Sequence, residues 1–168
     1  IGGHRYHYIE EGEGEPVVML HGNPSWSFYY RELIQKLSPY YHCLAPDHIG
    51  MGYSDKPGDE TYNYTLAQRV KDLEEFFEAK GLTQNITLIV HDWGGIIGMS
   101  YARHHPEKIK KIVILNTAAF HLPESKRFPF MLSLTRSFLG AFIVRAFNAF
   151  SAGATRIGVK RTKMSREV

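Results

Sequence analysis

Val90-His91-Asp92-Trp93-Gly94-Gly95 is the stretch on which the reading of this chain turns. Before it, Ile86 to Val90 is a short β-branched run, the pattern of a strand covered on both faces. After it, Gly94 to His105 carries a helical pattern that Pro106 stops. A strand that turns straight into a helix holds one side chain out over the sheet edge, and small residues let the helix pass close by. The side chain held out here is Asp92. Taken alone, an Asp at a helix start is an N-cap, so its meaning depends on the surrounding sequence.

The alternation continues outward. His4 to Glu10 alternates and runs into Glu11-Gly12-Glu13-Gly14, a strand followed by a tight turn. Val17 to Leu20, Tyr40 to Ala45 and Ile109 to Leu115 read as further strands. Between them, residues 28–38 place Leu33, Ile34 and Leu37 on one helical stripe. Thr65 is placed to cap a helix with Leu66, Val70, Leu73 and Phe77 at steps of three and four, and Gly81 stands at its left-handed C-cap. Strands separated by helices of this length form parallel βαβ units, so the fold class is α/β. After residue 118 the regime changes to a Phe- and Leu-rich stretch interrupted by Arg136 and Arg145.

Composition excludes several classes. The chain has 168 residues, 43% of them hydrophobic, enough for a core without staples. The single Cys43 excludes an intramolecular disulfide framework and a multi-cysteine zinc site, and its strand context makes it an apolar filler. No metal is expected, because the histidines lack partnering ligands at metal spacing. No cofactor is expected either, since Gly50-Met51-Gly52 lacks the third glycine and the acidic residue of a dinucleotide fingerprint. The net charge of +3 divides unevenly: residues 1–118 hold 11 Lys/Arg against 15 Asp/Glu, and residues 119–168 hold 9 against 2. These basic residues are spaced among apolar ones up to Lys160-Arg161-Thr162-Lys163, and no nucleic-acid motif accompanies them, so no nucleic-acid partner is expected. The longest uncharged stretch between 127 and 156 is ten residues, Ala146 to Thr155, half of what a transmembrane helix needs. Packing against the protein is therefore preferred to a membrane surface. Ile1 opens directly onto a polar, strand-like stretch with no signal peptide, and the expected location is cytoplasmic.

Two more segments sit where open α/β sheets place ligands, just beyond the carboxyl ends of strands. They are His21-Gly22-Asn23-Pro24 and Pro46-Asp47-His48-Ile49-Gly50-Met51-Gly52-Tyr53-Ser54-Asp55, in which Asp47 is expected to hydrogen-bond its own glycine-rich turn. With the Asp92 turn, these strings resemble the haloalkane-dehalogenase-like branch of the α/β-hydrolase superfamily, across essentially all of residues 1–118. The resemblance implies an α/β-hydrolase fold, a mostly parallel sheet with helices on both faces, truncated here. Residues 1–118 would be the N-terminal part of the core and 119–168 the beginning of a helical cap. It implies that Asp92 is a nucleophile attacking carbon, with the Trp93 indole N–H and the Asn23 amide holding the leaving anion. Donors facing a departing charge are what such a displacement needs, each charge-assisted hydrogen bond being worth about 1.5–3 kcal/mol. The backbone N–H groups of Asn23 and Trp93 would line an oxyanion pocket. Val90 departs from the common elbow, which has a small residue there.

Neighbouring families fit less well. Epoxide hydrolases usually carry a bulky apolar or aromatic residue where Asn23 stands, fluoroacetate dehalogenases have Arg at the place of Trp93, and serine esterases need Ser at 92. The family's base His and second acid are expected beyond residue 168. Asn116 takes the place where some dehalogenases carry a Glu, and His91, His104, His105 and His121 are poorly placed for a base. The chain thus resembles a fragment, with a complementary C-terminal polypeptide segment as its expected partner. Asn116 to Phe120 and Phe147 to Ala154 are similar to the β-lactone decarboxylases of bacterial olefin biosynthesis. Phe128, Phe130, Phe138, Phe142, Phe147 and Phe150 suit a small apolar substrate with long alkyl chains, or plain lid packing. Long-chain β-lactone decarboxylation leads, haloalkane hydrolysis is the alternative, and a non-catalytic hydrolase-like binding protein is the second alternative.

Overall fold

The computed structural model describes residues 1–117 and 137–147 together with Phe150, Ser151 and Gly153. In chain order the elements are β1 (Tyr8–Glu11), β2 (Pro16–Leu20), a 3-10 turn (Ser27–Tyr30), α1 (Arg31–Leu37), β3 (His42–Pro46), α2 (Leu66–Ala79), β4 (Ile86–His91), α3 (Trp93–His104), a second 3-10 turn (Pro106–Lys108), β5 (Ile109–Leu115) and α4 (Phe138–Phe147). The chain divides into two compact units, Ile1–Ala119 and Phe120–Val168.

The strands form one sheet in the order β1-β3-β2-β4-β5. β1 runs antiparallel to β3, with Tyr8 opposite Pro46, and the other pairings are parallel. The chain moves from β2 to one side for β3, then crosses back over β2 to β4 and β5. That reversal opens a crevice at the carboxyl ends of β2 and β4, the place where such sheets bind ligands.

Side chains alternate across the sheet and build two cores. On one face Val18, Leu20, Leu88 and Val90 pack with Val70, Leu73, Phe76 and Phe77 of α2 and Ile97 and Tyr101 of α3. On the other, Val17, Met19, Cys43, Ala45 and Ile89 pack with Tyr30 and with Ile34 of α1. Helices therefore cover both faces. Thr65 caps α2, its hydroxyl accepting from Gln68 N–H at 3.3 Å, and Gly81 ends it at φ +66°.

Several boundaries differ from the expected ones for identifiable reasons. β1 begins at Tyr8 rather than His4 because its partner ends at Pro46. Upstream residues bond to the next loop instead, Asp47 N–H to His7 C=O at 2.8 Å and Asp55 N–H to Arg5 C=O at 3.0 Å. β3 begins at His42 because the N–H groups of Tyr40 and Tyr41 close the end of α1 on Leu37 C=O, at 2.9 and 3.0 Å. The first turn of the expected 28–38 helix is 3-10. In the second unit, Phe138 and Phe142 of α4 are exposed. Phe150 is exposed as well, and the expectations that fall on Phe128, Phe130, His121 and the basic run at 160–163 lie outside the described residues. Among the described residues no helix is long and apolar enough to cross a membrane.

Candidate active site

β4 ends at His91 and α3 begins at Trp93, which leaves Asp92 alone to make the turn. Its backbone sits at φ 50°, ψ −123°, a conformation costing a residue with a Cβ about 1–3 kcal/mol. The surroundings hold it there. The Thr117 hydroxyl and the Gly95 N–H (3.0 Å) both donate to the Asp92 carbonyl, and the Asn23 N–H donates to Asp92 Oδ1 at 2.8 Å. The carboxylate makes no capping hydrogen bond to α3, so it is not spent on the role that an Asp at a helix start usually takes.

Close approach explains the neighbouring glycines. A Cβ at Gly22 would overlap the Asp92 carboxylate, and one at Gly94 would overlap the Leu20 carbonyl. Val90, the departure from the common elbow, is fully buried and is accommodated one turn further on: a Cβ at Gly98 would come within 2.8 Å of Val90 Cγ1.

Asn23 and Trp93, predicted to act together, border one cavity of about 250 Å³, shared with His48, Met51, Tyr64, Arg69 and Ile97. Asn23 Oδ1 is buried with no hydrogen-bond partner among the described residues. Trp93 is 44% exposed and also borders a hollow of about 260 Å³ lined by Asp92, Ile96, Asn116 and Thr117. A larger hollow of about 560 Å³, lined by Arg5, Tyr6, His7, Tyr8 and Tyr53, shares no residue with either.

Buried polar groups fix the loops that carry these residues. His48 N–H donates to His21 Nε2 at 3.1 Å, so the His21 proton is on Nδ1, facing Gly22 C=O at 3.0 Å. His48 Nε2 lies 3.1 Å from the His21 carbonyl and donates to it. Burial pushes both imidazoles below their ordinary pKa, so they are neutral struts. Asp47 accepts from Tyr53 N–H of its own turn at 2.9 Å, as expected, and also from Ser27 N–H at 2.7 Å and His7 Nδ1 at 2.8 Å. His91 stacks on Tyr29, ring centroids 4.7 Å apart, and His105 meets Glu74 at 3.2 Å. Among the described residues, no histidine hydrogen-bonds Asp92.

Sequence reasoning missed Thr117 and Arg69. Thr117 carried no local signal. Arg69 did, since it interrupts the buried stripe of α2 beside Val70 and Leu73.

The chain is 56% identical over 167 residues to a cis-3-alkyl-4-alkyloxetan-2-one decarboxylase of Shewanella oneidensis, covering 99% of this chain and 52% of that protein. It is 51% identical over 162 residues to the protein of the same name from Xanthomonas campestris pv. campestris, covering 92% and 54%. The chain thus spans about half the length of the curated relatives it matches. The haloalkane dehalogenase DatA from Agrobacterium tumefaciens C58 superposes with a TM-score of 0.84 at 27% identity, over 98% of this chain and 56% of that one. A family model described as the alpha/beta hydrolase fold matches residues 15–154, and with sheet order, elbow and relatives in accord, the chain belongs to the α/β-hydrolase family.

Proposed function

We propose that this chain supplies the nucleophile and the leaving-group donors of an enzyme that opens long-chain β-lactones and releases an alkene and CO2. The observation that carries the reading is the Asp92 carboxylate, held on a strained turn, unspent as a cap, and hydrogen-bonded at 2.8 Å by the N–H of Asn23, which with Trp93 borders one cavity. The names of the two relatives specify the lactone, because an oxetan-2-one is a four-membered ring ester.

In the proposed reaction an Asp92 oxygen attacks the alkyl-bearing ring carbon bonded to the ring oxygen, not the carbonyl carbon. The C–O bond breaks and its electron pair becomes a substrate carboxylate, received by the Trp93 indole and the Asn23 side-chain amide. The bond from that carboxylate to its α-carbon then breaks, its electron pair forms the C=C bond, and Asp92 leaves as carboxylate. Atoms and charge balance without water, and the nucleophile regenerates itself. Inversion followed by anti elimination converts a cis lactone into a cis alkene.

Haloalkane hydrolysis is the second reading, favoured by the DatA superposition. It uses the same nucleophile but needs water and a general base to cleave the ester. In our reading, the base His and second acid belong to the part of the full-length protein beyond residue 168. β5, at the sheet edge with Val113 and Ile114 exposed, would be covered by that complementary segment, and residues 119–168 would open the cap.

The test uses the full-length protein with a cis-3,4-dialkyl β-lactone and with 1-bromoalkanes. Lactone turnover to alkene and CO2 is expected, with Asp92→Ala inactive and Trp93→Phe slowed by about 2.7–4 kcal/mol, as for loss of an oxyanion donor. Bromide release without alkene formation would select the second reading, and activity surviving in Asp92→Ala would remove the nucleophile.

A further inference from the structure

A cation interrupts the apolar face of α2. Arg69 is only 9% exposed, and one of its Nη groups donates to the Ile49 carbonyl. Its guanidinium carbon lies 5.7 Å from the Tyr62 ring centroid and 5.4 Å from that of Tyr64. Among the described residues no carboxylate forms an ion pair with it. The buried carboxylate of its own helix, Asp72, is spent on the Tyr62 hydroxyl and on Gln68 Nε2 at 2.9 Å. A buried guanidinium with no direct ion pair among the described residues is costly, and the one hydrogen bond to Ile49 engages only part of its five donors.

The cavity it borders gives this charge a destination, because it is the one bordered by Asn23 and Trp93. Thr65 borders it too, so the positive end of α2 faces the same space. A planar fork of donors matches two oxygens better than a single spherical ion.

We propose that Arg69 is the specificity-determining cation of this site, binding the carboxylate released on ring opening and so favouring a lactone over a haloalkane. This rests on the assignment of Asp92 as nucleophile. Negative charge grows on the ring oxygen as the C–O bond breaks, so the guanidinium accelerates that step. Charge is withdrawn again as CO2 leaves, so Arg69 gives no help there. Its loss therefore lowers lactone ring opening and leaves halide recognition to Asn23 and Trp93.

The test reads ligand binding apart from turnover. In the full-length Asp92→Asn protein, which lacks the nucleophile's charge, intrinsic tryptophan fluorescence is titrated with octanoate, octanamide and bromide. Octanoate is expected to bind roughly tenfold tighter than octanamide, the effect of one charge-assisted hydrogen bond. Adding Arg69→Gln is expected to erase that preference while bromide affinity stays within about twofold, and Arg69→Lys to retain part of it. Equal affinities for octanoate and octanamide before any change at Arg69 overturn the proposal, whether or not Arg69→Gln folds. So does a parallel loss of octanoate and bromide in a folded Arg69→Gln. If Asp92→Asn still turns over lactone, the nucleophile assignment fails instead, and the titrations do not depend on it.

Discussion

Replacing Gly94 by Ala tests what sets the height of the elbow above the sheet. Two effects oppose each other. Ala gains about 0.8–1.0 kcal/mol over Gly in a helix. Against that, the new methyl meets the carbonyl carbon and oxygen of Leu20, backbone atoms of the central strand β2 that cannot rotate away. Overpacking of this kind costs about 1–3 kcal/mol, and a clash with backbone belongs at the upper end, so the net expectation is destabilisation of about 1–2 kcal/mol. Gly98, one turn along, is the control. Its added methyl meets only side-chain carbons, Val90 Cγ1 at 2.8 Å and Leu20 Cδ1 at 3.1 Å. Urea denaturation followed by circular dichroism, with constant m, gives each Gly→Ala change in the wild-type and Val90→Ala backgrounds. Val90→Ala should turn Gly98→Ala from neutral or harmful to stabilising, by up to about 1 kcal/mol, and leave Gly94→Ala as costly as before. Because Asp92 and Trp93 ride on this end of α3, lifting the helix by about 1 Å should also slow turnover by up to about 100-fold. A neutral Gly94→Ala, or one rescued by Val90→Ala, would show that the helix is not seated on the β2 backbone.

Two further outcomes follow from buried polar groups. Burial keeps His21 and His48 neutral in the folded chain, so unfolding lets both take up protons as pH falls below about 6.5. Stability is thus full above that pH and lost on acidification, by up to about 1.4 kcal/mol per pH unit for each histidine, and equal denaturation midpoints at pH 7.5 and 5.5 would contradict it. Tyr62→Phe removes the hydroxyl that donates to the buried Asp72 carboxylate, and should cost about 1–3 kcal/mol in thermal or urea unfolding, with Asp72→Asn relieving part of the loss.

What the sequence by itself determined is everything carried by local order: strand and helix alternation, the Thr65 and Gly81 caps, and a sharp strand-to-helix turn that holds Asp92. Those features follow from periodicity and from backbone preferences that neighbouring residues settle among themselves. Boundaries moved where a distant partner intervened, as at Tyr8, which begins β1 because Pro46 ends its neighbour. The role proposed for Asp92 comes from resemblance, because a carboxylate that caps its helix and one that does not share the same sequence. Only the tertiary structure decided that its side chain is left uncapped, that Gly98 makes room for Val90, and that Thr117, 25 residues away, clasps the Asp92 carbonyl. It also decided that Arg69 faces the cavity of Asn23 and Trp93. These are contacts between segments far apart in the chain, and the crossing of β2 by the connection from β3 to β4 is what brings them together.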